Sequence, residues 1–142
     1  MRRILFSILI CFLLLKVSHG QTISKKEARQ MLEKALSCLQ TSDTICFINL
    51  WQVDYTATMR RRIISDFYAM RQFLDTALNR DLKISDVEIE RHNLKNSNIK
   101  YWIKAWFKYG EHAYKGFGFY VAYQNNRWIV RGEPSTSTMR KN

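Results

Sequence analysis

The chain has 142 residues, 46% of them hydrophobic and 25% charged, and its 23 Lys and Arg against 12 Asp and Glu give a formal charge of +11. That length fits one domain able to bury a working core without metals or many disulfides, and one domain is the default reading. The basic balance favours contact with an anionic surface, whether lipid headgroups, polyanionic glycans or nucleic acid, or else serves only to keep a solvated surface soluble.

Residues 1–20 read as a secretory signal peptide: Arg2 and Arg3 form a positive start, Ile4 to Leu15 is an unbroken apolar run, and Ser18 and Gly20 supply small residues for cleavage. The run is too short for a helix to cross a hydrocarbon core of roughly 30 Å. An uncleaved anchor is the rival reading, and Lys16 stands against it. Cleavage after Gly20 removes Arg2, Arg3 and Lys16, takes the formal charge from +11 to +8, and starts a secreted or periplasmic protein at Gln21. Two cysteines remain, Cys38 and Cys46. In an oxidising compartment, on either side of the Thr41-Ser42-Asp43-Thr44 corner, they suit a disulfide, the alternative being two buried thiols. Neither mature histidine, His92 or His112, stands at metal-ligand spacing from them, so no metal and no cofactor is expected.

Ser24-Lys25-Lys26-Glu27 is a capping box that opens the first helix, and Ala28, Met31, Leu32, Ala35, Leu36 and Leu39 form its apolar stripe. Asp43 is the predicted N-cap of a second helix of about two turns carrying Ile45, Phe47, Ile48, Leu50 and Trp51. Thr56-Ala57-Thr58 opens a third, the longest, with Met59, Ile63, Phe67, Met70, Phe73, Leu74, Ala77 and Leu78 at helical spacing. Arg60, Arg61 and Arg62 in its first turn oppose the helix dipole, and either meet acids such as Asp54 and Asp66 or serve a partner.

From Leu82 the period becomes strand-like. Strands are predicted over Lys83 to Asn93, Ile99 to Tyr109, His112 to Gln124 and Arg127 to Glu133, with two-residue turns at Gly110-Glu111 and Asn125-Asn126. Residues 134–142 read as a flexible basic tail after a single domain over 21–133. Pairing Tyr109 with His112 and Gln124 with Arg127 sorts the side chains into two faces. One carries Tyr101, Ile103, Ala105, Tyr114, Gly116, Gly118, Tyr120, Arg131 and Glu133. The other is an aromatic platform of Trp102, Trp106, Phe117, Phe119 and Trp128 edged by lysines such as Lys104.

This order of elements resembles the nuclear transport factor 2-like, or SnoaL-like, superfamily over roughly Ser24 to Glu133, with a cystatin-like roll as the alternative. The resemblance implies an α+β fold in which N-terminal helices pack in the concave face of a curved antiparallel sheet, a cone whose open end holds a small-molecule pocket, and dimers joined through the outer sheet face. Gln52 to Tyr55 supplies only a stub where the family has a strand hairpin between the second and third helices. Tyr55, Tyr101, Tyr120, Arg131 and Glu133 are then the candidate ligand-binding residues, and Trp102, Lys104, Trp106, Phe117, Phe119 and Trp128 the candidate dimer or partner face.

No nucleophile motif, phosphate-binding glycine loop or metal spacing occurs. By analogy with that family's fold, the chain is then expected to be an exported, non-catalytic module, a homodimer that binds a small ligand in the cone or a protein partner through the sheet. A cone-pocket enzyme of isomerase or dehydratase type, or a polyanion-binding surface protein, is the alternative. Export argues against nucleic acid.

Overall fold

The computed structural model describes residues 21–51, 56–79, 83–92 and 99–140. Helix α1 (Lys25–Gln40) begins at the predicted box. The Glu27 amide donates to Ser24 Oγ at 3.2 Å and the Ser24 amide to Glu27 Oε2 at 2.8 Å, so two otherwise orphaned donors are satisfied. These bonds from Ser24 hold the Glu27 carboxyl below the usual carboxylate range. Ala28, Leu32, Ala35, Leu36 and Leu39 are buried along one stripe.

At the corner, Ser42 takes a left-handed conformation and Asp43 caps α2 (Thr44–Ile48) by accepting from the Cys46 amide at 2.8 Å. The turn brings the Cys38 and Cys46 Cα atoms to 5.5 Å, and their sulfurs are bonded. Helix α2 is shorter than expected. Residues 49–51 leave it through tighter i→i+3 bonds, Leu50 to Phe47 and Trp51 to Ile48, which still carry Trp51 into the core. Helix α3 (Ala57–Asn79) starts at Thr56, whose hydroxyl accepts from the Met59 amide at 3.3 Å, and it buries Ile63, Phe67, Met70 and Leu74.

Strands β1 (Asp86–Arg91), β2 (Tyr101–Lys108), β3 (Ala113–Gln124) and β4 (Arg127–Arg140) form one antiparallel meander in the order β1-β2-β3-β4. Helices α1 and α3 pack against its concave face, which gives the predicted α+β architecture. The stub expected at residues 52–55 lies outside the described residues.

Two expectations about the sheet are corrected. Asn125 and Asn126 both have positive φ and make the tight turn that pairs Gln124 with Arg127, as expected. The β2–β3 connection, however, encloses one residue more than predicted: Lys108 faces Tyr114, and the Tyr109 amide donates to the Ala113 carbonyl at 3.0 Å. A one-residue slip turns every side chain of β3, and of β4 after it, to the opposite face. The observed register places Phe117, Phe119 and Val121 beside Ala105, Ile103 and Tyr101 under the helices, fully or nearly fully buried. The predicted register would have put Gly116, Gly118 and Tyr120 there. Burying a large apolar side chain contributes roughly 1.5 to 3 kcal/mol, so the core selects the register over the shorter turn.

The second correction concerns residues 134–140. They do not form a loose tail but continue β4, pairing Ser135 with Gly118 through to Arg140 with Ala113. A bulge makes this possible: Phe119 faces the stretch from Gly132, at φ +72°, to Pro134. Pro134 is tolerated because β4 is an edge strand, where a missing N–H breaks no ladder bond on the outer side.

The slip also explains the glycines. Gly116 and Gly118 lie on the outer face, beneath the rings of Trp106 and Trp102. A Cβ on Gly118 would sit 2.6 Å from the Ile103 carbonyl oxygen and 2.8 Å from the Trp102 ring. Gly118→Ala is accordingly expected to cost about 1 to 3 kcal/mol through displacement of Trp102, and urea unfolding followed by tryptophan emission checks it. Closing a loop over a sequence separation of 8 constrains the unfolded chain. Reducing the Cys38–Cys46 bond is expected to cost about 2.5 kcal/mol on the chain-entropy account; an unchanged unfolding midpoint in reductant would contradict that.

Candidate functional site

Between the first turns of α3 and the β4 bulge lies a cavity of about 330 Å³, walled by Met59, Ile63 and Gly132, with Thr56, Arg62, Asp66 and Glu133 supplying polar groups. Its geometry starts at Trp51. That indole N–H donates to the Gly132 carbonyl at 2.9 Å, and the neighbouring Val130 amide donates to the Leu50 carbonyl at 3.3 Å, so residues 50–51 hold the strand at its bulge. The positive φ of Gly132 then redirects the chain, and Glu133 meets Arg62 of α3 in an ion pair. Both partners are more than half exposed, so the pair adds little stability; it joins helix and strand across the cavity.

One helical turn beyond Arg62 stands Asp66. Its Oδ2 is buried and accepts no hydrogen bond among the described residues. Burial pushes the Asp66 carboxyl above the usual aspartate range, the negative charge of Glu133 adds to the shift, and Arg62 partly offsets it. The cavity therefore combines apolar walls with one carboxyl whose pKa is raised above the usual aspartate range. Such a site can receive a small, mostly apolar molecule and exchange a hydrogen bond with its single polar group. No cluster of metal-ligating side chains occurs among the described residues.

Of the residues predicted to bind ligand, the structure places Glu133 at this cavity. Tyr101 instead packs in the core with its ring 5.6 Å from that of Trp128. Tyr120 and Arg131 face each other across β3 and β4 on the outer side, where Tyr120 touches Trp102 and Arg131 donates to Gln124. Tyr55 lies outside the described residues. The expected grouping thus comes apart through the register of β3.

The predicted partner face divides for the same reason. Trp102, Lys104 and Trp106 do share the outer face, with Lys104 Nζ 5.8 Å and 5.0 Å from the two ring centroids and the Trp106 indole donating to Glu88 at 3.0 Å. Phe117 and Phe119 belong to the core, and Trp128 packs on the helix side. Reading the sequence missed Arg62 and Asp66 as site residues. They appeared only as a possible surface ion pair, although their i,i+4 spacing beside the buried Ile63 and Phe67 already set them at the edge of the core stripe.

No family model matches the chain, and no curated protein matches it. Among solved structures it is similar to a Campylobacter jejuni protein provisionally described as an NTF2-like transpeptidase, with 14% identity and a TM-score of 0.44, over 71% of this chain and 94% of that one.

The raised Asp66 has a signed consequence for stability. An acid whose folded pKa lies above its unfolded value gives stability that is present at low pH and is lost as pH rises through the folded value. Asp66→Asn should therefore be more stable than the parent at pH 7, with the advantage vanishing below the ordinary aspartate range. Thermal melts from pH 3 to pH 7 check it; a variant less stable at neutral pH would show that ionised Asp66 has a stabilising partner.

Proposed function

We propose that this protein is an exported, non-catalytic binding module of nuclear transport factor 2-like build, and that it takes a small, mainly apolar ligand with one hydroxyl or carbonyl group. The reading rests on the cavity between α3 and the β4 bulge, where the unpartnered Asp66 carboxyl is the one polar group not already engaged by an ion pair among Arg62, Asp66 and Glu133. The order of three helices and a four-stranded meander among the described residues supports the family assignment. The N-terminal segment and the Cys38–Cys46 bond support export. No helix among the described residues is long and apolar enough to cross a membrane.

Proton transfer is the second reading, because a desolvated carboxyl facing a cavity is also how a general base is built. It is the weaker one. The described lining holds no histidine, tyrosine, cysteine or lysine that could return a proton to the other side of a substrate.

Met59 lines the cavity and is 37% exposed, so a larger side chain there fills the site without disturbing the core. Neutral bicyclic alcohols and ketones screened by thermal shift against the mature chain should yield stabilising ligands. Met59→Trp should weaken the best of them by at least roughly tenfold, about 1.4 kcal/mol. Unchanged binding to Met59→Trp would place the ligand elsewhere, and turnover of any ligand would favour the enzyme reading.

A further inference from the structure

A second cavity, of about 200 Å³, lies on the other side of the Asn49–Trp51 segment and shares no lining residue with the first. We propose that it binds a small organic anion, a monocarboxylate carrying one ring or a short aliphatic chain.

Its apolar lining, the floor, is made by Met31 of α1, Leu50, and Trp128 and Ile129 of β4, and Lys34, Arg127 and Asn49 supply its polar groups. The charge around it is unbalanced in one direction. Neither Lys34 nor Arg127 has an ion-pair partner among the described residues, whereas Glu33 of α1 pairs with Arg29 at 3.6 Å and Glu27 accepts from Ser24. A ligand carboxylate would supply the missing negative charge, and its hydrocarbon body would cover the floor.

The floor is also held in place before any ligand arrives. Trp128 is fixed by edge contacts to Tyr101 and Tyr123, at 5.6 Å and 5.2 Å. The Leu50 carbonyl accepts from Val130, which ties the opposite wall to β4. Preorganised walls reduce the ordering cost of binding. Ligand sites for drug-sized molecules run from about 300 Å³ upward, so this smaller space selects a single ring or a chain of a few carbons.

Benzoate and its uncharged analogue benzyl alcohol are suitable probes, titrated into the mature protein and followed by the amide and indole signals of its nitrogen-15 spectrum. Benzoate should give saturable shifts centred on the Trp128 indole and on Lys34 and Arg127. Binding should weaken roughly tenfold in the Lys34→Glu, Arg127→Glu double variant, the scale expected for two solvent-screened charges, and benzyl alcohol should bind the parent correspondingly less well. Both substitutions are at exposed positions, so the variant should keep the parent spectrum elsewhere. Met59→Trp, which fills the first cavity, should leave benzoate binding unchanged. The proposal is overturned if benzoate shows no saturable shift, if benzyl alcohol binds equally well, or if the double variant binds benzoate like the parent. It is also overturned if Met59→Trp, and not the double variant, removes the binding.

Discussion

The indole of Trp51 joins the helical layer to the sheet at the β4 bulge, where the register shifts. Its ring is buried against Phe47 and Phe119, with centroids 4.9 Å and 5.6 Å away, while its N–H reaches the Gly132 carbonyl. A buried indole needs a partner for that N–H, and a bulged strand needs a partner for a carbonyl taken out of the ladder. Each meets the other's requirement. Because the bond holds residues 50–51 against β4, it separates two hollows: one towards α3, with Arg62, Asp66 and Glu133, and one towards α1, with Lys34 and Arg127.

Around that contact, Phe47, Phe67, Phe117 and Phe119 form a run of tilted and edge-on ring pairs that fills the space between α2, α3 and the sheet. The centre of the cone is therefore solid. The two cavities lie at its margins, beside the helix ends and the strand bulge. The polar groups of both cavities come from residues flanking the core stripes of α1 and α3, Lys34, Arg62 and Asp66, from Asn49 after α2, and from Arg127 and Glu133 on β4.

The outer face of the sheet solves a different problem. Glycines at positions 116 and 118 weaken a strand by leaving nothing to pack, and here Trp106 and Trp102 lay their rings over the gaps, with Lys104 set above both. The aromatic rings on this face are thus occupied in covering their own backbone. That is a reason within the fold for bulky and minimal residues to sit side by side on the strands.

Local chemistry alone determined a good deal of this protein. The Ser24–Glu27 box, the Asp43 cap and the Asn125-Asn126 turn depend on residues within about one turn of each other, and α3 on apolar spacing of three and four, so the sequence states them directly; it brought Cys38 and Cys46 near each other but left open whether they are bonded. The register of β2 against β3 does not have that character. Gly110-Glu111 is compatible with a loop of either length, and the choice was made by Phe117 and Phe119, whose burial under helices far away in sequence outweighs any preference of the turn. Every face assignment beyond Lys108 inherits that choice, which is why Tyr120 and Arg131 stand outside the cone and Phe117 and Phe119 inside it. Glu133 reached its cavity by another non-local route, a bulge at Gly132 stabilised by an indole from 81 positions earlier in the chain. Arg62 and Asp66 were legible as neighbours on a helix. Only the arrival of Glu133 and the partial burial of Asp66 brought them together around one cavity, because desolvation is a property of what packs alongside and not of the residue itself.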